Sequence, residues 1–256
     1  SEHTYHDTYV GFFTDLDLGY AWDDYVGCDV EHGTFYGYNG TEVDGQGEPE
    51  AYGENPPVQS VTFLAGPFMD PNQEDDADGG CDFSINGLNF GNGIADDERY
   101  GMTRFIYYNN SGSPINGSPH EAPDYYNYLR GLWIDNTSVI FGGNGHPTVG
   151  GVGPACRFMF PGDTDPCNWG TNGVLPNGGY NQNGKYWTEE EVGNQPSDRR
   201  GVGISGPFTF EPGEVQEVEM AYVVGENAGN VNSTVNNLFE NLDNLFNMID
   251  NGEIIV

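Results

Sequence analysis

Val215-Gln-Glu-Val-Glu-Met-Ala-Tyr-Val-Val224 is the stretch that decides the class of fold. Gln216, Val218, Met220, Tyr222 and Val224 fall on one side of an extended chain, and Val215, Glu217, Glu219, Ala221 and Val223 on the other. One face is then apolar and the other mixed, the period-two pattern of a strand with one side on a core. Its length predicts a long sandwich strand. Shorter β-branched and aromatic runs with the same reading lie upstream at 8–13, 33–38, 58–64, 103–108, 138–142, 157–160 and 202–205. Turn formers separate them: Gly-Pro at 66, 153 and 206, and Asn-Gly at 39, 86, 92, 116, 144, 172, 177, 183 and 251. Gly and Asn accept the positive φ that tight turns require, so the punctuation itself argues for antiparallel strands.

One segment breaks the pattern. Val235, Leu238, Phe239, Leu242, Leu245, Phe246 and Ile249 recur at helical spacing, predicting a C-terminal amphipathic helix over 231–251 whose stripe packs on the sheets. Ser233 or Asn232 can cap its start, and Gly252 stands where a left-handed C-terminal cap belongs. Beyond it, 253–256 (Glu-Ile-Ile-Val) reads as a further strand, or as the start of a following segment. The expected fold is mainly β: one or two packed antiparallel β-sandwich, jelly-roll-like units with long Gly/Asn/Asp-rich loops, plus this helix. The 256 residues are read as a single β-rich unit, with any internal boundary near 110–125.

Seven basic residues face forty acidic ones, a net charge of −33. Repulsion disfavours nucleic acid and anionic membrane surfaces as partners. The chain is nevertheless rich in large rings, with 16 Tyr, 15 Phe and 4 Trp, enough for a packed core and unlike a disordered polyanion. No 18-residue apolar run is present, so no membrane span is expected. A start at Ser1 without a signal-type segment is the expectation for a mature secreted product or an excised fragment. Cys28, Cys81, Cys156 and Cys167 lack the C-x-x-C spacing of zinc sites and fit disulfides, with three pairings open. The short separation of Cys156 and Cys167 favours a local staple, which leaves Cys28 for Cys81; four buried thiols are the other reading.

Such acidity in a folded chain needs a counterweight, and calcium is the natural one, because it takes about six to eight oxygens from flexible loops. Two stretches carry the ligand density. Asp15 and Asp17 precede Gly19, and Asp23, Asp24 and Asp29 follow. Asp70, Asn72, Glu74, Asp75, Asp76 and Asp78 form the second. The second is no EF-hand, since Asp75 replaces the obligatory Gly and Cys81 the bidentate Glu. Asp96-Asp97-Glu98 and Asp163-Thr-Asp165 are weaker candidates.

Catalytic signatures are missing: no His-Glu-x-x-His, no Gly-x-Ser-x-Gly, and five scattered histidines. The run from Gly179 to Lys185 mimics a phosphate loop, but Tyr186 stands in place of the magnesium-binding hydroxyl. Glu189, Glu190 and Glu191 beside Trp187 are the first suspects for a paired-carboxylate glycosidase. The runs 36–38, 107–108 and 125–128 place Tyr rings beside Asn and Asp, a composition that packs sheets or meets sugars and protein partners.

Several phrases together carry a family likeness: residues 7–19 with 24–29; Gly66-Pro-Phe-Met-Asp-Pro71; 84–92 with 97–102; Asp124-Tyr-Tyr-Asn-Tyr-Leu-Arg-Gly131; Phe160-Pro-Gly-Asp-Thr-Asp165; and Asp198-Arg-Arg-Gly201 running into 206–213. The chain resembles a domain of large secreted Bacteroidota proteins exported by the type IX system. The resemblance implies an extracellular, surface-attached β-rich module and carries over no catalytic residue. The functional expectation is therefore a structural or adhesive, calcium-stabilised module of the cell exterior that self-assembles into a filament or sheath, or binds other cell-surface proteins. The alternative is a glycan-binding or glycan-degrading domain.

Overall fold

A computed structural model describes residues 2–77, 85–176, 184–226 and 229–256. Its strands are β1 (Tyr5–Asp15), β2 (Asp24–Asp29), β3 (Thr34–Asn39), β4 (Val43–Asp44), β5 (Gly53–Glu54), β6 (Val58–Ala65), β7 (Arg104–Asn109), β8 (Arg199–Phe210) and β9 (Glu219–Gly225). The α-helices are α1 (Ala122–Leu129), α2 (Glu189–Val192) and α3 (Val231–Asp250). Every named strand pair is antiparallel. A three-stranded sheet has the order β1-β8-β7, a four-stranded sheet β2-β3-β6-β9, and β4 and β5 form a small ribbon. The protein is mainly β, and the two larger sheets face each other as a sandwich.

Rings hold the sandwich together. Phe35 of β3 stacks on Phe105 of β7 with centroids 5.3 Å apart, and Phe12 of β1 meets Phe63 of β6 edge-on at 5.4 Å. Gly201 and Gly203 on β8 make the seat for Phe35: a Cβ on either would lie 2.7 or 2.6 Å from its ring, so only glycine lets the sheets approach this closely. The opposite face of the four-stranded sheet is covered by α3. Leu238 and Leu242 pack there with Tyr25, Tyr36, Tyr38 and Val58. Covered on both faces, β2 and β3 are buried along their whole length, whereas β1 has no buried residue and β9 is mostly half-buried. Between β7 and β8, the described residues of 110–176 and 184–198 wrap one flank and send Trp133, Phe141, Phe158, Phe160 and Trp187 into the same core.

Several expectations are corrected. Residues 138–142 and 157–160 form isolated bridges, Ile140 with Ala155 and Phe105 with Phe158, because their backbone runs beside other segments without a sustained ladder. The strand expected from Val215 begins at Glu219. Upstream of it, the Arg99 guanidinium takes the Glu217 carbonyl (2.8 Å) and Phe68 N–H donates to the Gln216 side chain (2.7 Å). The expected helix is present, but Asn230 caps it, accepting from Ser233 N–H at 2.9 Å, while Gly252 takes the left-handed position with φ +70. Residues 254–256 form no strand; Glu253 and Ile254 N–H both turn back to the Met248 carbonyl. Two helices went unforeseen. α1 starts with a capping box between Glu121 and Asp124 and carries Pro123 in its first turn.

The disulfide assignment also changes. Cys28 and Cys156 are free, buried thiols, so neither the 156–167 staple nor a bridge from Cys28 forms. Their sulfurs donate inward instead, Cys28 to the Met159 carbonyl at 3.2 Å and Cys156 to the Phe158 carbonyl at 2.9 Å. Cys167 is disulfide-bonded, and Cys81 lies outside the described residues.

Candidate functional site

The first acidic stretch does not form one loop. Asp15 ends β1, and with Asp17 and Asp198 it brings three carboxylates within 4.8 Å of one another. Arg200 already occupies this group, with Nη2 3.0 Å from Asp15 and Nη1 bonded to Asp198, whose other oxygen accepts from Asn110 Nδ2 at 3.0 Å. Burial, then the charges of Asp15 and Asp198, raise the Asp17 carboxyl above the usual range.

Asp24 and Asp29 are the first and last residues of β2, each only 1% exposed. Asp29 is committed to His32, 2.6 Å from its Nδ1 and accepting from its N–H at 3.1 Å; the ring's other nitrogen is 3.2 Å from Asp243 on α3. Burial pulls the His32 pKa down, but the Asp29 bond and the surrounding carboxylates outweigh it and leave it raised.

Asp24 belongs to a different group, at the β2–β3 end of the sheet. It accepts from Leu18 N–H (3.1 Å) on one oxygen, while its Oδ1 is buried without a partner. Asn39, its register partner on β3, is also 1% exposed and has a buried, unpartnered Oδ1; its Nδ2 is held by the Thr41 carbonyl at 2.7 Å. Facing residues of antiparallel strands put their Cβ atoms about 4.5–5.5 Å apart on one face, so these two oxygens belong to one neighbourhood. Asp23 adds a third unpartnered oxygen, its other one accepting from Gly45 N–H at 2.8 Å. Asp44 contacts Asp23 and accepts from Tyr20 N–H at 3.0 Å and from Tyr52 N–H. No Lys, Arg or His of the described residues forms an ion pair with Asp23, Asp24 or Asp44. Burial, reinforced by the charges of Asp23, Asp44 and Asp17, pushes the Asp24 carboxyl up to about 8.

The second stretch folds against 92–98. Asp70 is spent on Thr209, accepting from its N–H (2.6 Å) and hydroxyl (2.8 Å). Asn72 accepts from Glu74 N–H (2.8 Å) and donates to Asp76 (3.1 Å), whose own N–H goes to Glu98 at 2.6 Å. Asp75 and Asp97 each keep a buried, unpartnered Oδ1. Asp78 lies outside the described residues. Sequence reading found Asp23 and Asp24 but missed Asn39, Asp44 and the closing role of 92–98, since a neutral amide in a Tyr-rich strand carries no acidic signal.

The suspected glycosidase carboxylate has a different task. Glu189 is fully buried and accepts from Val26 N–H (3.0 Å), Asn194 Nδ2 (2.7 Å) and the Arg199 fork, with Nη2 at 2.9 Å and Nε at 3.1 Å. These donors, together with its complete burial, tie Glu189 to the packing of β2 against Arg199. Its partner in sequence, Glu191, pairs with Lys185 at 3.4 Å on the surface.

That bond from Val26 belongs to a wider arrangement of the sheet edges. The outer edge of β2 is closed by Glu189, by the Phe160 carbonyl (accepting from Cys28 N–H, 3.2 Å) and by Thr164 Oγ1 just beyond (from Val30 N–H, 2.9 Å). The β7 edge is closed by Arg157 and Met159, which exchange backbone bonds with Phe105 at 2.9 and 3.1 Å. On β1 and β9, no backbone bond from another described segment reaches the outer edge, and only side chains touch their carbonyls, Tyr126 Oη on Asp7 (3.1 Å) and Asn241 Nδ2 of α3 on Val224 (2.9 Å). Residues 8–14 of β1 and 220–225 of β9 contain no charged side chain, and Phe13 and Tyr222 are 55% and 66% exposed. Beside β1, α1 crosses at Gly11, leaving a cleft of about 240 Å³ lined by Phe13, Tyr108, Tyr125 and Tyr128.

No family model, curated protein or solved structure matches the chain. Among the described residues, no helix is long and apolar enough to cross a membrane.

Proposed function

We propose that the protein is a structural or adhesive module of the cell exterior, stabilised by calcium, that associates with further copies of itself through the free edges of β1 and β9. The exterior location follows from the resemblance to secreted Bacteroidota domains and remains part of the proposal. The observation carrying the assembly is the pairing of an open edge with an uncharged strip, found on both strands of a chain whose net charge is −33. A like-charged copy meets carboxylates almost everywhere else, whereas edge-to-edge addition at these strips joins backbone donors to acceptors without facing charges. Calcium is supported by the buried carboxylate oxygens of Asp23, Asp24, Asp75 and Asp97 that have no hydrogen-bond donor.

Light scattering and electron microscopy over a concentration series in millimolar calcium test the assembly. Growth into ordered particles, abolished by a Val224→Lys/Phe13→Lys double variant that stays folded, is the expected result. A strict monomer at high concentration overturns it. The aromatic cleft beside β1 favours a second reading, carbohydrate binding by ring stacking, which a glycan array with Tyr125→Ala as control decides.

A further inference from the structure

Seven buried side-chain oxygens of the described residues lack a partner, and three of them, on Asp23, Asp24 and Asn39, converge at one end of the four-stranded sheet. A buried oxygen left without a donor loses its hydration with nothing in return, and a buried carboxylate loses more, so leaving three together is unfavourable unless something electropositive sits among them. From this convergence we infer that Asp23, Asp24, Asn39 and Asp44 form a divalent cation site, and that its ion is calcium.

The donor chemistry fits. All four side chains offer hard oxygens, no thiol or imidazole of the described residues groups with them, and loop carbonyls and water would complete the larger coordination number that calcium accepts. Asn39 is the decisive member: it carries no charge, so acidity does not explain its placement, yet it stands opposite Asp24 in the strand register with its oxygen buried and without a donor while its nitrogen is tied to Thr41. Asp23 and Asp44 lie in contact, and although the three carboxylates do not all bring an oxygen within 4.8 Å of one another, an ion among them would draw them together. The tighter group of Asp15, Asp17 and Asp198 is the weaker competitor, because Arg200 and Asn110 already supply its positive partners. The site also explains the backbone around it. Leu18 and Gly45 present their N–H groups to one oxygen each of Asp24 and Asp23, leaving the other oxygen of each buried without a donor, while Tyr20 and Tyr52 fix the Asp44 carboxylate with one N–H on each of its oxygens.

This inference rests on the calcium half of the proposed function and locates it. Terbium, a luminescent calcium mimic, provides the test on the intact chain, because Trp22 adjoins Asp23 in sequence and can sensitise it. Expected is tryptophan-excited terbium emission that calcium chases out, with affinity about 10- to 100-fold weaker in Asn39→Ala and in Asp24→Asn. The Trp22→Phe variant should keep affinity and lose emission. If Asp24→Asn fails to fold, Asn39→Ala carries the test, since it adds no charge and leaves the carboxylates in place. Unchanged binding in Asn39→Ala and Asp24→Asn, together with loss in Asp97→Asn, overturns this location while calcium stabilisation survives. No binding of either ion overturns both.

Discussion

The two flanks of the sandwich treat their strand edges in opposite ways. Along β2 and β7 the chain spends much of residues 110–198 on closure, down to a fully buried Glu189–Arg199 pair whose carboxylate also takes the Val26 N–H. Along β1 and β9 it spends less: no lysine and no covering backbone among the described residues, only irregular pairing between Tyr5 and Val10 at one end of β1 and single side-chain bonds from Tyr126 to Asp7 and from Asn241 to Val224. From Val10 to Asp15 the β1 register is continuous, so the irregularity protects one end and leaves the other flat. A protein that needed only to stay soluble would guard all four edges alike. The contrast is between a flank closed by backbone and buried charge and a flank whose edges meet only single side chains, and the proposed self-association uses the second.

The largest effect should come from opening the closed flank. Glu189→Ala leaves Arg199 and the Val26 N–H buried without their acceptor, and should cost about 3–5 kcal/mol in urea unfolding. A loss under 1 kcal/mol would show that closure matters little. Next, Gly203→Ala pushes a methyl against Phe35, for which about 1–3 kcal/mol is expected, read by the same denaturation series. On the open flank, Val224→Lys should change stability by no more than about 0.5 kcal/mol while suppressing particle growth. If it unfolds the protein instead, β9 is not the free edge described here.

Two pH effects sharpen the contrast further. Asp24 has a folded-state pKa raised from 3.8 to about 8, so the folded state holds its proton more tightly than the unfolded one. In chelator, its contribution to stability is therefore fully present at acid pH and is lost as pH rises from about 4 to about 8. Saturating calcium should flatten or reverse that slope, and Asp24→Asn should remove it. His32 has a smaller effect: its raised pKa stabilises below its unfolded value and is lost as pH climbs through the folded one, loosening the tie from β2 to α3. Thermal melts of His32→Gln across that range read it.

Much of this fold was legible in the sequence, and the failures share a cause. Strands with one wet face, such as β1 and β9, show alternation. β2 was read as an acidic calcium loop, because Asp24 and Asp29 bracket it and both its faces are covered, which erases the period-two signal. The short bridges at 138–142 and 157–160 look like strands because their side chains are core residues, but their backbone bonds are scattered among several partners. Spacing misled at the cysteines: Cys156 and Cys167 are close in number, yet Cys156 points into the core beside Phe158. Of the candidate site, the carboxylates were visible and their grouping was not. Asp24 meets Asn39 through strand register, and Asp23 meets Asp44 across a long loop, relations that only the assembled sheet creates.

The pairing of β1 with β8 sets a clock on the making of this molecule. Tyr5 lies opposite Phe210, and Asp15 opposite Arg200. As the chain is made, β1 emerges before its partner and stays unpaired until β8 has followed it out. Contacts that distant make folding slow and concentrate it in one late event. Until then both future edges, the one that will be covered and the one that will stay free, are equally bare, and the forty carboxylates keep neighbouring chains apart during the wait.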